Sequence, residues 1–379
     1  MNIAILSYDY PDERRAVFTF VAQLVEQWAR QGHNCWVIAP YSINANRRLH
    51  SRKEEIRQEG QGVITILRPN FITTSRLEIG GRRVSWVLHK CAVQRALRWL
   101  PCKPDVIYGH FWEQAHEGFR FAKKNGIPLF VATGESNVAK MISKWSDKDE
   151  FCKYISGVVS VSTKNKQESM ALGLTDESKC VVIPNAVNAD LFRKLDKTFC
   201  RQGLGIAKDA FVVAFVGWFN ERKGAKRVAQ AIYACNDPDI KSLFLGYGPD
   251  EPDCPGIIFK GKVAHYDIPR YLNAADVFVL PTLNEGCCNA IVEAMACGLP
   301  VISSNRAFNW DILNEDNSIM IEPADINAIG QAIRKIKDNP TLRHNMATAA
   351  LASVQPLHIE NRANSIIRLF EPFVIHYES

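Results

Sequence analysis

Apolar residues come in short runs along this chain, and the runs alternate with stretches of helical spacing. Asn2–Leu6 reads as a strand, and Val21, Leu24, Val25 and Trp28 then recur on one helix face. Gly32 closes that helix before Cys35–Ala39 forms the next strand. The pattern repeats with strand Asp105–Tyr108, helix Glu117–Lys124, strand Pro128–Ala132 and strand Gly157–Val161. From about Val181 to Leu204 the chain is rich in turn residues and reads as a link. A second series follows, with strands at Ala210–Val216, Ser242–Leu245, Gly256–Phe259, Val277–Leu280 and Val301–Ser304. Its helices are expected at Ala225–Cys235, Ile268–Ala274 and Asn289–Cys297, and Asn361–Phe370 has helical spacing through Ile366, Ile367 and Phe370.

Short strands joined by helical crossovers imply parallel sheets covered on both faces. The fold class expected is therefore α/β, with two Rossmann-like domains facing each other across a cleft. Their expected extents are residues 1–180 and 181–360, with a helix at 361–379 crossing back to the first domain. Ligands of open α/β sheets bind outside the carboxyl ends of the strands, so chemistry is expected there.

Composition narrows the class. A chain of 379 residues, 47% apolar and 23% charged, suits two globular domains. No stretch approaches the ~20 apolar residues of a membrane-spanning helix. The first residues lack a basic leader and read as a strand, so a cytoplasmic location is expected. The 11 cysteines show neither a disulfide framework nor metal-ligand spacing, so no metal is expected, and a reducing compartment fits them. Charge is uneven. Residues 1–180 hold 26 Lys and Arg against 18 Asp and Glu, while the rest hold 20 against 22, so the first half is expected to meet something anionic.

The segment Pro281–Pro300 carries the most chemistry. A strand ends at Pro281, Glu285-Gly286 sits in a loop, and a helix starts near Cys288 or Asn289 and stops at Gly298. Free amides at Cys287, Cys288 and Asn289 would seat an anion, and Gly286 would let it approach the backbone. Glu293, about one turn inside the helix, would reach back toward the same ligand. Two carboxylates beside an anion seat suit a ligand with phosphates and hydroxyls; the plainer alternative is that both merely favour the helix terminus or form surface ion pairs.

Glu285 and Glu293, followed by Ala294-Met295-Ala296-Cys297-Gly298-Leu299-Pro300-Val301, closely resemble the E-x7-E signature of retaining glycosyltransferases of the GT-B fold, in the large bacterial family 4. Val182-Ile183-Pro184-Asn185-Ala186-Val187-Asn188 with Phe192 resembles the family's I-P-N-G-V-D…F stretch, departing from it at Ala186 and Asn188. Asp276–Pro281 and Gly32-His33 also match, while residues 41–100 and 133–150 match least. The resemblance implies a donor nucleotide-sugar, linked to UDP or GDP, with no metal or other cofactor. It implies that Glu293 holds the ribose hydroxyls and that Glu285 and the amides of Cys287, Cys288 and Asn289 hold donor sugar and phosphate.

Val216-Gly217-Trp218-Phe219-Asn220-Glu221-Arg222-Lys223-Gly224 resembles the family's G-R-L-x-x-x-K-G, whose cations hold phosphates. Gly217 and Lys223 match it; Trp218 stands in the arginine's place, with Arg222 as a substitute. With Lys226 and Arg227, four cations crowd a helix start, which a bound diphosphate would relieve; a solvated basic loop is the alternative. His110 resembles the second histidine of D-V-I-H-A-H and is expected at the reacting centre, with Glu113 and His116 as weaker candidates; a hydrogen-bonded structural histidine is the plain alternative. Tyr10–Phe18 stands where many relatives carry a Gly-Gly loop, so Arg14 or Arg15 is expected to supply charge instead.

Arg82–Leu100 reads as an amphipathic basic helix, either a domain helix with a solvated face or a contact for anionic membrane at the inner face or for a lipid-diphosphate acceptor. No motif supports nucleic acid binding. The expected function is sugar transfer to a hydroxyl of a saccharide or lipid-linked acceptor, in surface polysaccharide synthesis. Rival readings are a nucleotide-sugar epimerase and a non-catalytic binding subunit of the same fold. A dinucleotide oxidoreductase is not expected, because Ser7-Tyr8-Asp9-Tyr10 after the first strand lacks G-x-G-x-x-G.

Overall fold

The structure, a computed structural model, describes residues 1–12, 17–44, 54–74, 77–79, 82–138 and 145–374. It divides into two compact units, Met1–Ile183 together with Glu360–Ser379, and Pro184–Ile359.

The first unit is built on an eight-stranded sheet. In spatial order its strands are Cys180–Val182, Gly157–Ser160, Leu129–Thr133, Val106–His110, Asn2–Ser7, Asn34–Ile38, Gly62–Leu67 and Glu54–Glu59. All neighbours pair in parallel except the last two, which are antiparallel. Asn2–Ser7 is central because five consecutive residues, Ile3 to Ser7, are buried, as a strand covered on both faces requires. Glu54–Glu59 is a polar edge whose one aliphatic residue, Ile56, is 66% exposed.

The expected helix 117–124 begins earlier, at Trp112, and ends at Asn125, where Gly126 adopts φ 58°. Tertiary burial of Trp112 and Ala115 extends it into a first turn whose polar residues hid the periodicity. The basic segment 82–100 forms a helix at Val84–Leu97, preceded by a two-residue strand, Arg82–Arg83. His89, Ala92, Val93, Ala96 and Leu97 are buried, so one face of this helix belongs to the domain core.

The last helix, Ile359–Phe370, packs on the first unit's aromatic core. Phe370 lies 5.9 Å from Trp28, 5.7 Å from Tyr108 and 4.6 Å from Phe130, centroid to centroid. The Trp28 indole donates to Ala363 O at 3.2 Å.

The second unit holds a six-stranded parallel sheet ordered Ile257–Gly261, Ile240–Leu245, Phe211–Val216, Val277–Leu280, Val301–Ser304, Ser318–Ile321. The link contains a short helix, Lys197–Gln202, that was not expected; Asp196 caps it by accepting from Phe199 N at 2.6 Å. At the opposite edge from the loops described below, Asp276 accepts from Arg201 at 2.7 Å, Lys197 at 2.5 Å and Val212 N at 2.7 Å. That buried carboxylate fixes where the adjacent strands Phe211–Val216 and Val277–Leu280 begin, and so where their carboxyl ends emerge.

Candidate functional site

Two strand-to-helix loops of the second unit leave those adjacent strands. Gly217 follows the first with φ 156°, and the neighbouring Gly246 has φ 157°. A side chain at Gly246 would lie 1.9 Å from Gly217 O, so this close approach of two loops admits only glycine. The first loop enters helix Ala225–Cys235 and the second enters helix Asn289–Ala296. Leu283 N donates to Arg222 O at 2.8 Å and ties the loops together.

Glu285 is the hub of this arrangement. Its Oε1 accepts from Lys223 Nζ and Thr282 Oγ1 at 2.7 and 2.9 Å, and also from Arg222 Nη1. Arg222 reaches Asn284 O at 2.7 Å as well, so the residue one turn beyond Trp218 does deliver a second cation to the loop. Burial alone would push the Lys223 ammonium down, but Cys288 and Glu285 outweigh it and hold its pKa above the ordinary value. Burial pushes the Cys288 thiol up, against the pull of Lys223 3.6 Å away. One carboxylate against two cations leaves the cluster with a net charge of about +1.

Helix Asn289–Ala296 begins with Cys288 at the cap position and without a side-chain cap. Ile291 N turns back onto Cys288 O at 3.1 Å, and the positive end of the helix dipole lies beside Lys223. Asn289 Oδ1 is buried and has no hydrogen-bond partner. Asn185 Nδ2 donates to Cys287 O at 2.9 Å and fixes the loop from below. Glu293, in the second turn, accepts from His265 Nε2 at 3.1 Å, and His265 packs edge-on against Phe192 at 5.2 Å. Gly286, Cys287 and Cys288 are buried in the loop between Glu285 and the helix.

The crowd of cations at the helix start is resolved differently from the expectation. Lys226 pairs with Asp250 at 3.0 Å, and Arg227 with Glu221 at 2.6 Å and Pro281 O at 2.9 Å. Only Arg222 and Lys223 converge on Glu285. Each cation has found a local carboxylate because unshared positive charge at a helix start is unfavourable.

Trp218 is half exposed, with its ring 5.1 Å from that of Tyr247; Lys262 Nζ lies 3.7 Å over the Tyr247 ring. Thr282, His265 and this aromatic ledge were not expected from the sequence. The glycine-flanked Gly246-Tyr247-Gly248 after a buried strand was a usable signal for the ledge.

His110 ends a strand of the first unit and is 3% exposed. Rings of Phe20, Phe111 and Tyr108 surround it at 5.4, 5.2 and 5.7 Å. Burial, with Arg362 adding to it, lowers its pKa to about 3, so it is a neutral imidazole, and its Nδ1 has no partner. His116 stacks on Trp145 at 4.2 Å and bonds Asp147 at 2.8 Å, while burial and then Lys90 lower its pKa to about 4. Glu113 moves the other way: burial first and Glu117 second raise it to about 7. Arg14 and Arg15 lie outside the described residues. Among the described residues no group of three or more His, Cys, Asp or Glu could hold a metal ion, and no helix is long and apolar enough to cross a membrane.

A family model described as "Glycosyl transferases group 1" matches residues 210–339, and one described as "Glycosyltransferase Family 4" matches residues 17–191. TuaC of Bacillus subtilis strain 168, named as a teichuronic acid biosynthesis glycosyltransferase, is 27% identical over 72% of this chain and 70% of its own length. An Escherichia coli UDP-Gal:alpha-D-GlcNAc-diphosphoundecaprenol alpha-1,3-galactosyltransferase is 26% identical over 72% of this chain and 77% of its own. The solved structure of Anabaena HepE in complex with UDP-glucose superposes with a TM-score of 0.72 at 17% identity, covering 98% of this chain and 100% of that one.

Proposed function

This chain is a glycosyltransferase of the GT-B fold, and on that premise we propose that it moves a sugar from a UDP- or GDP-sugar to a hydroxyl of a saccharide or lipid-linked acceptor, with retention at the anomeric carbon. The observation that carries this reading is the Arg222–Lys223–Glu285 cluster beside the uncapped start of helix Asn289–Ala296. A diphosphate arriving there exchanges with Glu285 for the two cations and takes the helix amides as further donors. Glu285, released from its ion pairs, is then an acceptor for sugar hydroxyls.

Lys223 and Arg222 stabilise the charge that grows on the leaving diphosphate as the glycosidic bond breaks. Glu293, oriented by His265, accepts from the ribose hydroxyls, and Asn289 Oδ1 offers an acceptor near the phosphate seat. His110 of the first unit enters this reading as a neutral hydrogen-bonding group, since a cation is excluded by its burial. The UDP-glucose held by HepE and the lipid diphosphate named for the E. coli relative favour this donor and acceptor class. TuaC's name favours a role in polysaccharide synthesis.

The test is a panel of UDP- and GDP-sugars scored for thermal stabilisation and slow hydrolysis. The true donor at 100 times its Kd should add about 2.7 kcal/mol of stability. Glu293→Ala should remove that stabilisation; unchanged donor affinity in the variant would sink the assignment. The anomeric configuration of the product, read by NMR, decides retention.

A further inference from the structure

Helices Val84–Leu97 and Trp112–Asn125 of the first unit lie side by side, joined by a buried bond of 2.7 Å between His89 Nδ1 and Glu117 Oε1. A groove runs between them, and its two ends differ in chemistry. One end is lined by Trp86, Trp145, Glu113, His116, Glu117 and Asp147. The other is lined by Arg98 and Lys124, and Lys90 and Arg120 line both. Among the described residues that line the second end none is acidic, and it opens to a cavity of about 570 Å³.

The carboxylate end is unfinished as it stands. Glu117 Oε2 is buried and has no hydrogen-bond partner. A buried carboxylate oxygen left this way is costly, and a donor from a ligand would satisfy it. Glu113, three and four positions from His116 and Glu117 on the same helix, is pushed up by burial and by Glu117, so near neutrality it both donates and accepts. The Trp145–His116 stack carries no charge near neutrality because burial holds His116 neutral. Flat rings beside carboxyl groups suit a sugar, whose C–H faces lie on aromatic surface while its hydroxyls bond to oxygen. Arg98 and Lys124, at the end whose described lining holds no acidic residue, suit phosphate.

We propose that this groove binds a saccharide carrying a phosphate or diphosphate, with the sugar at Trp86, Trp145, Glu113 and Glu117 and the phosphate at Lys90, Arg98, Arg120 and Lys124. As the seat of an acceptor it rests on the transferase reading above; as a binding site it does not. The ligand's chemistry is shared by a free sugar phosphate and by the head of a lipid carrier.

Calorimetry on the full chain tests it, with glucose 1-phosphate as probe and Lys223→Gln as background, so that the donor loops cannot hold the phosphate. The probe should bind, and Arg120→Gln/Lys124→Gln, both exposed positions, should weaken it by about tenfold or more with the thermal midpoint unchanged. Glucose alone and inorganic phosphate alone should each bind at least about tenfold more weakly, since each fills half the groove. Unchanged affinity in the double variant, or binding abolished by Lys223→Gln, overturns the proposal. So does binding of phosphatidylglycerol vesicles through Arg98 and Arg120 without any binding of glucose 1-phosphate. If Lys223→Gln leaves UDP-sugar binding intact while the double variant still loses glucose 1-phosphate, the donor assignment falls and the groove stands. Farnesyl-diphosphate-glucose bound about tenfold more tightly than glucose 1-phosphate identifies a lipid-carried ligand; equal affinities identify a free one.

Discussion

The loops around Glu285 and the groove between helices Val84–Leu97 and Trp112–Asn125 both mix carboxylates with cations, yet they arrange them in opposite ways. Around Glu285 every cation has a carboxylate within ion-pair distance: Lys223 and Arg222 share Glu285, Lys226 has Asp250 and Arg227 has Glu221. Along the groove the carboxylates stand at one end, beside Lys90 and Arg120, while the described lining of the other end holds cations alone, and Glu117 Oε2 is left without a partner. Opposite charges in contact keep side chains ordered without a ligand, and a phosphate must then displace a carboxylate to enter. Cations without carboxylates at one end leave a field along the groove that a ligand of mixed polarity would answer. The first arrangement suits a ligand that must be released as a leaving group; the second suits one that must be held and oriented.

The largest expected effect lies on the paired side. Lys223→Ala should lower turnover of the true donor by about 10²–10³-fold, as loss of one charged donor to a developing anion does. Single-turnover rates at saturating donor measure it, and a loss under tenfold would mean that Arg222 alone neutralises the diphosphate. The next effect lies on the first unit and is read as a stability difference. His110, with its pKa lowered from 6.5 to about 3, is neutral when folded and takes a proton when unfolded. The unfolded state therefore binds more protons between about pH 3 and 6.5, so stability rises with pH there and is lost as pH falls.

His116, lowered to about 4, acts in the same sense, while Glu113, raised to about 7, opposes both. Subtracting the His110→Asn variant from the parent isolates one group. The difference in urea-unfolding free energy should rise by up to ~1.4 kcal/mol per pH unit across that window. A flat difference would mean that His110 is protonated in the fold. The smallest effect is expected at Trp218. Trp218→Arg restores the family's residue on an exposed ring, and donor affinity should move by only about 0.5 kcal/mol because Arg222 already supplies the second cation. A gain of tenfold by calorimetry would show that the paired cluster is short of charge.

Much of the second unit was legible because its signals are local. Helices Ala225–Cys235 and Ile268–Ala274 and strands Val277–Leu280 and Val301–Ser304 fall where the spacing put them. Gly217 and Gly298 punctuate these elements with positive φ, a signal carried by residue type alone. Helix Ile326–Asp338 was also readable from Ile329, Ile333 and Ile336, though it went unassigned. Edge strand Glu54–Glu59 was not readable, because five of its six residues are polar and only pairing with Gly62–Leu67 makes it a strand. Helix Pro340–Val354 hid for a related reason: it buries only Met346, Ala350 and Val354, too few to print a periodicity.

By itself the sequence determined two parallel α/β units and the loop, helix and paired glutamates of Pro281–Pro300, because strand runs, helix faces and turn residues act over a few positions. Only the tertiary structure decided which groups meet. Arg222 and Lys223 reach Glu285 across some sixty residues, His265 finds Glu293, and Arg227 is spent on Glu221 and Pro281 O. It also decided that His110 is neutral and that Glu113 holds a proton near pH 7, since burial and not residue type sets those charges.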